Sequence, residues 1–162
     1  MSSAALHPWR LRIAEPADIE ILTRLINVAF SVERFFIEGD RINSDGVRNL
    51  MASGQFLIAE DNNGLAACIY VEPRGERAYL GLLSVDPSRQ RSGLGSRLVA
   101  AAEDHARACG IHQMDLRIVN LRVELPEFYR RLGYQITGTS PFPPEATTKQ
   151  PCHFINMSKA LT

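Results

Sequence analysis

The clearest structural signal in the chain is the stretch VDPSRQRSGLGSRL, residues 85–98. It follows a predicted apolar strand, residues 78–85, and leads into a predicted helix, residues 93–109. Gly93 and Gly95 stand where that helix begins, and a backbone without Cβ atoms can approach a ligand closely. The N–H groups and the positive dipole end of a helix start attract anions. The stretch therefore predicts an anion site that is well suited to a pyrophosphate.

Two other phosphate-binding motifs do not match this stretch. No Gly-Lys-Ser/Thr follows the glycines, which excludes a P-loop. Leu98 stands where the dinucleotide-binding fingerprint G-x-G-x-x-G needs its third glycine. A glycine-containing turn that binds no ligand is the remaining alternative. Three arginines predict a local basic patch around the helix start: Arg89, Arg91 and Arg97.

The rest of the chain predicts an α/β fold with a mixed sheet. Apolar alternation or short apolar runs predict further strands at residues 9–14, 55–60, 65–71, 113–118, 134–139 and 152–158. Helical spacing predicts further helices from Glu15 to about Phe30, from a cap at Ser44 to about Gly54, and over residues 125–132. Turn residues predict a turn at residues 73–76 and an irregular loop that begins at Pro141.

Composition favours one ordinary globular domain over residues 1–162, with its core at about 10–160. Hydrophobic residues make up 45% and charged residues 22%, which excludes disorder, collagen-like repeats and a disulfide scaffold. Eighteen basic and eighteen acidic residues give a formal net charge of zero. We therefore expect neither nucleic acid nor an anionic membrane as a partner.

Cysteine usage and the start of the chain favour a cytoplasmic protein. Cys68, Cys109 and Cys152 are far apart and odd in number, which predicts free thiols in a reducing compartment. Residues 1–9 lack the charged and apolar regions of a signal peptide, and no run approaches the roughly 20 apolar residues of a membrane span. Neither His105 nor His112 has partners at metal-ligand spacing, so we expect no metal.

Two motifs together resemble the GCN5-related N-acetyltransferase (GNAT) superfamily. The first is QRSGLG, residues 90–95, which is similar to the Q/R-x-x-G-x-G/A core of that family's acyl-CoA motif. The second is FYRRLGY, residues 128–134, which looks like the family's F-Y-x-x-x-G-F/Y segment. The resemblance implies a mixed, mostly antiparallel central sheet of about six or seven strands flanked by about four helices, and acetyl-CoA as cosubstrate.

The resemblance also implies a role for each matched segment. In the family two neighbouring strands diverge, and the pantetheine arm lies between them; here those strands are residues 78–85 and 113–118. The main chain of Leu83, Ser84 and Val85 would then hold the pantetheine, and one of their N–H groups would polarise the acetyl carbonyl. The main chain of seven residues would hold the pyrophosphate: Gln90, Arg91, Ser92, Gly93, Leu94, Gly95 and Ser96.

Tyr129 matches the tyrosine that the family places near the sulfur of coenzyme A. The resemblance implies that Tyr129 is the general acid, returning a proton to the leaving thiolate. The alternative is a tyrosine half buried on the sheet.

The chain departs from the family at one contact. The family often has asparagine seven residues before this tyrosine, against the pantetheine, and here that residue is Arg122. Asn120 lies two residues earlier; it either contacts the pantetheine through a shifted loop or is a turn or capping residue.

The implied reaction is direct transfer of acetyl from acetyl-CoA to an amine in a ternary complex, with a small-molecule or peptide amine as acceptor. A primary amine is mostly protonated at pH 7, so a base is needed; Glu33, Glu38, Glu72 and Glu124 are candidates by location. Residues 27–53 and 141–151 are expected to select the acceptor. The alternatives are a non-catalytic acyl-CoA-binding module of the same fold and a plain α/β interaction domain. Dimers are common in the superfamily, so a homodimer is compatible with the resemblance.

Overall fold

The computed structural model describes residues 9–144 and 146–162. Residues 1–8, on which the expectation of no signal peptide depends, lie outside the described part. Within the described residues, seven strands form one sheet: β1 (Arg10–Ile13), β2 (Gln55–Asp61), β3 (Gly64–Arg74), β4 (Arg77–Val85), β5 (Gln113–Val119), β6 (Gln135–Pro141) and β7 (His153–Ala160). Four α-helices connect them: α1 (Ile19–Ala29), α2 (Ser44–Ser53), α3 (Leu94–Ala108) and α4 (Leu125–Arg131).

The strands are ordered β1-β2-β3-β4-β5-β7-β6. Each neighbouring pair is antiparallel except β4 and β5, which run parallel. This confirms the predicted mixed, mostly antiparallel sheet with four helices. The parallel pair is possible because α3 connects β4 to β5 and crosses one face of the sheet.

Two details of the sequence prediction are wrong. Residues 73 and 74 are not turn residues, because β3 continues through both of them and only the next two residues turn. The cap of α2 is Asn43 rather than Ser44: the Asn43 side-chain oxygen accepts from the Gly46 N–H at 2.7 Å. Asparagine is at least as good a cap as serine, so the pattern could not separate the neighbours.

Helices cover the two faces of the sheet unequally. On one face α3 packs through its buried apolar side, which includes Leu94, Leu98 and Ala102. On the other face α1 packs against β3 and β4, with Leu22 and Ile26 fully buried. Burial of these side chains supplies the main favourable term in folding. Helices α1 and α2 pack on β2, β3 and β4, while β5, β6 and β7 carry polar side chains on that same face.

The single parallel pair is short. Strand β4 pairs with β5 only over Arg77–Tyr79, opposite Gln113–Asp115. Beyond Tyr79 the two strands have no paired residues, although β4 continues to Val85 and β5 to Val119. The sheet therefore opens into a gap between the carboxyl halves of β4 and β5.

A β-bulge lies where the gap opens. The register between β3 and β4 shifts so that Leu82 and Leu83 together face Ile69. Leu82 has a positive φ of 52°, which is uncommon for a residue other than glycine. Bulges bend a strand and re-aim its main-chain groups, and they are frequent beside functional sites. The bulge accounts for the departure of β4 from β5.

Helix α3 begins directly after a left-handed residue. Gly93 caps the helix with φ 79° and ψ 4°, and its carbonyl accepts the N–H of Arg97 at 3.1 Å. Gly95 lies in the first turn, and a Cβ added there would meet the Phe128 ring at 3.6 Å, an ordinary contact distance. The two glycines of the motif therefore have different backbone requirements.

We expect Gly93→Ala to lower the free energy of unfolding by about 1–2 kcal/mol, since an L-residue pays that amount in the left-handed region. Gly95→Ala is the matched control, and it should not destabilise the protein, because alanine is the better helix former. Urea denaturation of both variants measures the difference. Equal losses would contradict the assignment of the strained position to Gly93.

Candidate active site

The larger of two connected cavities adjoins the start of α3 and has a volume of about 410 Å³; we name it the helix-start cavity. All seven residues of 90–96 line it, together with Leu83 and Val85 from the end of β4. The structure thus brings together nine of the residues that the sequence assigned to acyl-CoA. A left-handed residue followed by a helical one, here Gly93 and Leu94, directs successive N–H groups toward one concave surface that suits an anion.

Ser84 is also predicted to contact acyl-CoA, but its side chain does not line the helix-start cavity. Ser84 is 1% exposed, and its hydroxyl donates to the Leu82 carbonyl at 2.9 Å. The alternation of side chains along a strand directs Leu83 and Val85 toward the cavity and Ser84 away from it. Only the main chain of Ser84 is in a position to meet a ligand in the gap.

The predicted basic patch is smaller than the count of arginines suggested. Arg89 donates to both carboxylate oxygens of Asp61, at 2.9 and 3.1 Å, and forms an ion pair with Asp86 at 3.3 Å. Its guanidinium also holds the pKa of Asp61 below its usual range. The sequence prediction of Arg89 as a cation of the patch is therefore corrected: two carboxylates neutralise it, and it braces the loop against the β2–β3 turn.

The smaller cavity occupies the gap between β4 and β5 and has a volume of about 110 Å³; we name it the strand-gap cavity. Four residues line both cavities: Phe30, Leu83, Arg122 and Leu125. The two cavities therefore adjoin, so that a long ligand seated at the start of α3 can extend into the gap.

Tyr129 lines the strand-gap cavity from α4. Helix α4 ends in a left-handed Gly133, with φ 100°, and the N–H of Tyr134 returns to the Tyr129 carbonyl at 3.0 Å. This hydrogen bond explains why the two tyrosines of the second motif are five residues apart. It closes the end of α4 and places the centre of the Tyr134 ring 5.8 Å from that of the Tyr129 ring. In turn, the Tyr134 hydroxyl donates to Glu103 of α3 at 2.8 Å, which fixes α4 against α3.

The Tyr129 side chain is 7% exposed. Among the described residues its hydroxyl has no hydrogen-bond partner, so the group is available to a ligand in the cavity. Burial raises the pKa of Tyr129 well above its ordinary value. The phenol therefore stays protonated at neutral pH, which is the state a proton donor needs.

Glu33 and Arg122 form a buried ion pair at the same cavity. Arg122 donates to Glu33 at 2.9 Å and to Glu124 at 2.9 Å. Glu33 is 6% exposed, and burial raises the pKa of its carboxyl, while the neighbouring Arg122 and Arg41 lower it. The pair joins the segment after α1 to the loop between β5 and α4, across 89 residues of sequence.

The other base candidates lie outside the strand-gap cavity. Glu38 is exposed, and Glu72 accepts hydrogen bonds from Tyr70 and Arg74, each at 2.7 Å. Glu124 lines the helix-start cavity and is mostly exposed. Within the described residues, Glu33 is the one acidic side chain that lines the strand-gap cavity.

Asn120 has a structural role at the end of β5. Its side-chain oxygen accepts from the His153 N–H at 2.8 Å, and its own N–H donates to the His153 carbonyl at 2.9 Å. It lines neither of the two cavities. The contact between Asn120 and pantetheine stays a prediction, whereas Arg122, which stands at the family's asparagine position, lines both cavities.

The two segments expected to select the acceptor contact each other. Ile37 forms an isolated β-bridge with Thr148, and the Lys149 N–H donates to the Phe36 carbonyl at 2.7 Å. Phe36 is fully buried in a cluster with Val119 and Phe154, at the ends of β5 and β7 that border the gap. Two further residues line the strand-gap cavity: Arg41, which lies in the segment 27–53 expected to select the acceptor, and Arg117, which sequence reasoning missed because it belongs to no motif.

Neither a membrane-spanning helix nor a cluster of metal-ligating side chains occurs among the described residues. Over residues 9–144 and 146–162, no helix combines the length and apolar character needed to cross a bilayer. In the same part of the chain, no three His, Cys, Asp or Glu side chains lie close enough together to share a metal ion.

The chain resembles solved structures over nearly its whole length. It matches Ard1 from Thermoplasma volcanium with a TM-score of 0.79 and 19% identity, covering 96% of this chain and 99% of that one. It matches the ribosomal-protein-S18-alanine N-acetyltransferase from Escherichia coli with a TM-score of 0.77 and 16% identity, covering 95% and 94%. It also matches yncA from Salmonella typhimurium, solved with its cofactor acetyl-CoA, with a TM-score of 0.74 and 21% identity, covering 96% and 95%. At these identities the likeness establishes the fold.

Sequence relatives match a shorter part of the chain. The mycothiol acetyltransferase of Clavibacter michiganensis subsp. michiganensis is 35% identical over 80 residues, which are 49% of this chain and 26% of that protein. The blasticidin-S acetyltransferase of Streptomyces morookaense is 35% identical over 74 residues, which are 43% of this chain and 52% of that protein. The chain thus spans about half or less of the length of these relatives. The family model of the acetyltransferase (GNAT) domain matches residues 52–136, slightly more than half of the chain, from α2 to β6. This chain therefore belongs to the GNAT family of acetyltransferases.

Proposed function

We propose that this protein transfers the acetyl group of acetyl-CoA to an amine, by direct attack within a ternary complex. The observation that carries the proposal is the pair of adjoining cavities, one at the start of α3 and one in the gap between β4 and β5. Relatives named as acetyltransferases, and a fold neighbour solved with acetyl-CoA, support the same acyl donor. The acceptor is a small-molecule or peptide amine.

The residues at the two cavities fit such a donor. The main chain of residues 90–96 suits the pyrophosphate, because the N–H groups at the start of α3 attract anions. Between the diverging strands, the free edge of β4 near Leu83 and Val85 can pair with the amide groups of a pantetheine arm, as an added strand would. Acetyl-CoA, when bound, supplies an activated acyl carbon and a thiolate leaving group.

Two side chains of the strand-gap cavity divide the proton transfers between them. An amine of ordinary pKa costs about 4–5 kcal/mol to deprotonate at pH 7. Glu33 accepts that proton, directly or through a water molecule, because burial raises its pKa above that of an exposed glutamate. As the C–N bond forms and the C–S bond breaks, Tyr129 gives its proton to the departing sulfur. The second proton of the attacking nitrogen then passes to the Tyr129 phenolate and restores the phenol, and Glu33 releases the first proton to solvent.

The proposal is tested by thiol release from acetyl-CoA across a panel of amines: amino acids, peptides, polyamines and aminoglycosides. We expect acetyl-CoA to raise the melting temperature and at least one class of amine to release the thiol. Stabilisation by acetyl-CoA with no release from any amine would instead favour the non-catalytic acyl-CoA-binding module. No stabilisation at all would contradict the acyl-CoA site itself.

Replacement of the Tyr129 hydroxyl tests the general acid. We expect Tyr129→Phe to lower kcat by about 10²–10⁴-fold, since that is the typical contribution of a positioned acid, and to leave the affinity for acetyl-CoA nearly intact. Tyr134→Phe is the matched control: it removes a neighbouring hydroxyl that bonds to Glu103 and should cost stability rather than turnover. Unchanged kcat in Tyr129→Phe would exclude the role.

The pH profile tests Glu33. Protonation of Glu33 removes the base, so kcat/KM should fall as the pH drops through its raised pKa. Arg122 favours the charged carboxylate; Arg122→Ala should therefore raise the pKa further and move the acid limb to higher pH.

Two glutamate variants complete this experiment. Glu33→Gln should abolish the fall of kcat/KM at low pH. Glu38→Gln, at an exposed carboxyl outside the cavity, should leave that acid limb of the profile unchanged. A limb that stays unmoved in both Glu33→Gln and Arg122→Ala would belong to the amine substrate and not to Glu33.

A further inference from the structure

Two guanidinium groups at the strand-gap cavity form no ion pair with a carboxylate of the described residues. Arg41 lies over the Phe30 ring at 5.4 Å, and Arg117 lies over the Phe154 ring at 4.3 Å. Within the part of the chain that the structure describes, neither forms an ion pair or a hydrogen bond. Most arginines of the molecule differ from them, because they lie within 4.0 Å of a carboxylate: Arg10, Arg12, Arg34, Arg48, Arg74, Arg77, Arg89, Arg107, Arg122, Arg130 and Arg131.

Both groups line the cavity that also holds Glu33 and Tyr129. Arg117 alternates along β5 with Leu116 and Ile118, which pack into the core beneath α3. Its side chain therefore projects from the opposite face of the sheet, the face of α1 and α2. The helix-start cavity adjoins the α3 side of the gap. An acyl donor seated there would leave the α1 and α2 side, with Arg41 and Arg117, for the acceptor.

The charges of the cavity are unbalanced. Among the described residues that line it, three guanidiniums face one carboxylate, and Glu33 already pairs with Arg122. Among the described residues, Arg41 and Arg117 thus remain outside any ion pair, although Arg41 lies near enough to Glu33 to lower the pKa of that carboxyl. The aromatic rings beneath them hold each guanidinium in place by cation–π contact and leave its outer N–H groups free to donate.

We propose that the acceptor is an amine that also carries a carboxylate, as an amino acid does, and that Arg41 and Arg117 bind this carboxylate while the amine faces Glu33 and Tyr129. This inference rests on the proposed function. Guanidinium groups bind carboxylates through paired, charge-assisted hydrogen bonds, which fix orientation as well as position. A polyamine or an aminoglycoside would bring its own positive charges against the two arginines, at an electrostatic cost. Arg41 and Arg117 are therefore specificity residues for the acceptor.

Matched pairs of acceptors test the proposal in turnover. Each pair consists of an α-, β- or γ-amino acid and its carboxamide. Because the carboxamide also lowers the pKa of the amine, the ratio of kcat/KM for acid and amide is compared between the wild-type protein and each variant. We expect the acids to have the higher kcat/KM, and Arg41→Ala or Arg117→Ala to lower it by about tenfold to a hundredfold for the acids alone. Arg117→Lys should restore part of the preference. Arg48→Ala is the control, because Arg48 pairs with Asp45 on exposed α2, away from the cavity.

A binding measurement separates this inference from the proposed function. N-acetylated amino acids and their amides resemble the products, and their affinities for the protein loaded with coenzyme A can be measured by calorimetry without turnover. We expect the acids to bind more tightly and the two alanine variants to lose that preference. Equal affinities of acid and amide, or a preference that survives in both variants, would overturn the inference even if amines are acetylated. Loss of turnover on every amine, with the acid preference retained in binding, would contradict only the proposed function.

Discussion

The β4–β5 pairing is the constraint on which the rest of the site depends. The strands share three residue pairs and then diverge, because the bulge at Leu82 and Leu83 bends β4 away. Had they stayed paired, main-chain hydrogen bonds would close the gap and the two cavities would not meet. The divergence leaves two strand edges open at the centre of the protein, where an extended ligand can complete the hydrogen bonding of the main chain.

The remaining elements hold the opening in place. Arg89 fixes the loop before α3 to Asp61, at the turn between β2 and β3. Arg122 fixes the loop after β5 to Glu33, in the segment that follows α1. Each ion pair joins parts of the chain that are distant in sequence, and each is largely shielded from water, so breaking either one leaves a poorly solvated charge. The catalytic role proposed for Glu33 is thus combined with a structural one, and its protonation is coupled to the shape of the cavity.

The sequence predicted the architecture well where local rules apply. The order of strands and helices follows from apolar periodicity. The start of α3 and the end of α4 follow from Gly93 and Gly133, because both residues have a positive φ that glycine adopts most easily. The sequence predicted less well the features that depend on a residue's interaction partners in the folded protein. Arg89 counted as a free cation in the sequence, yet it pairs with two carboxylates. Asn43 and Ser44 are equivalent caps by propensity, and only the geometry of the chain entering α2 separates them.

Local motifs were enough to identify the family, the glycine-rich start of α3 and Tyr129 as the motif tyrosine, because each motif consists of residues within a few positions of one another. The acidic residue that faces the gap, and the arginines that form no ion pair there, could be identified only once the folded chain was known. Glu33, Arg41, Arg117 and Arg122 come from three separate segments and belong to no motif. The pKa of Glu33 and the charge balance of the cavity arise from burial and from neighbours brought together by folding, and these quantities have no counterpart in the linear spacing of residues.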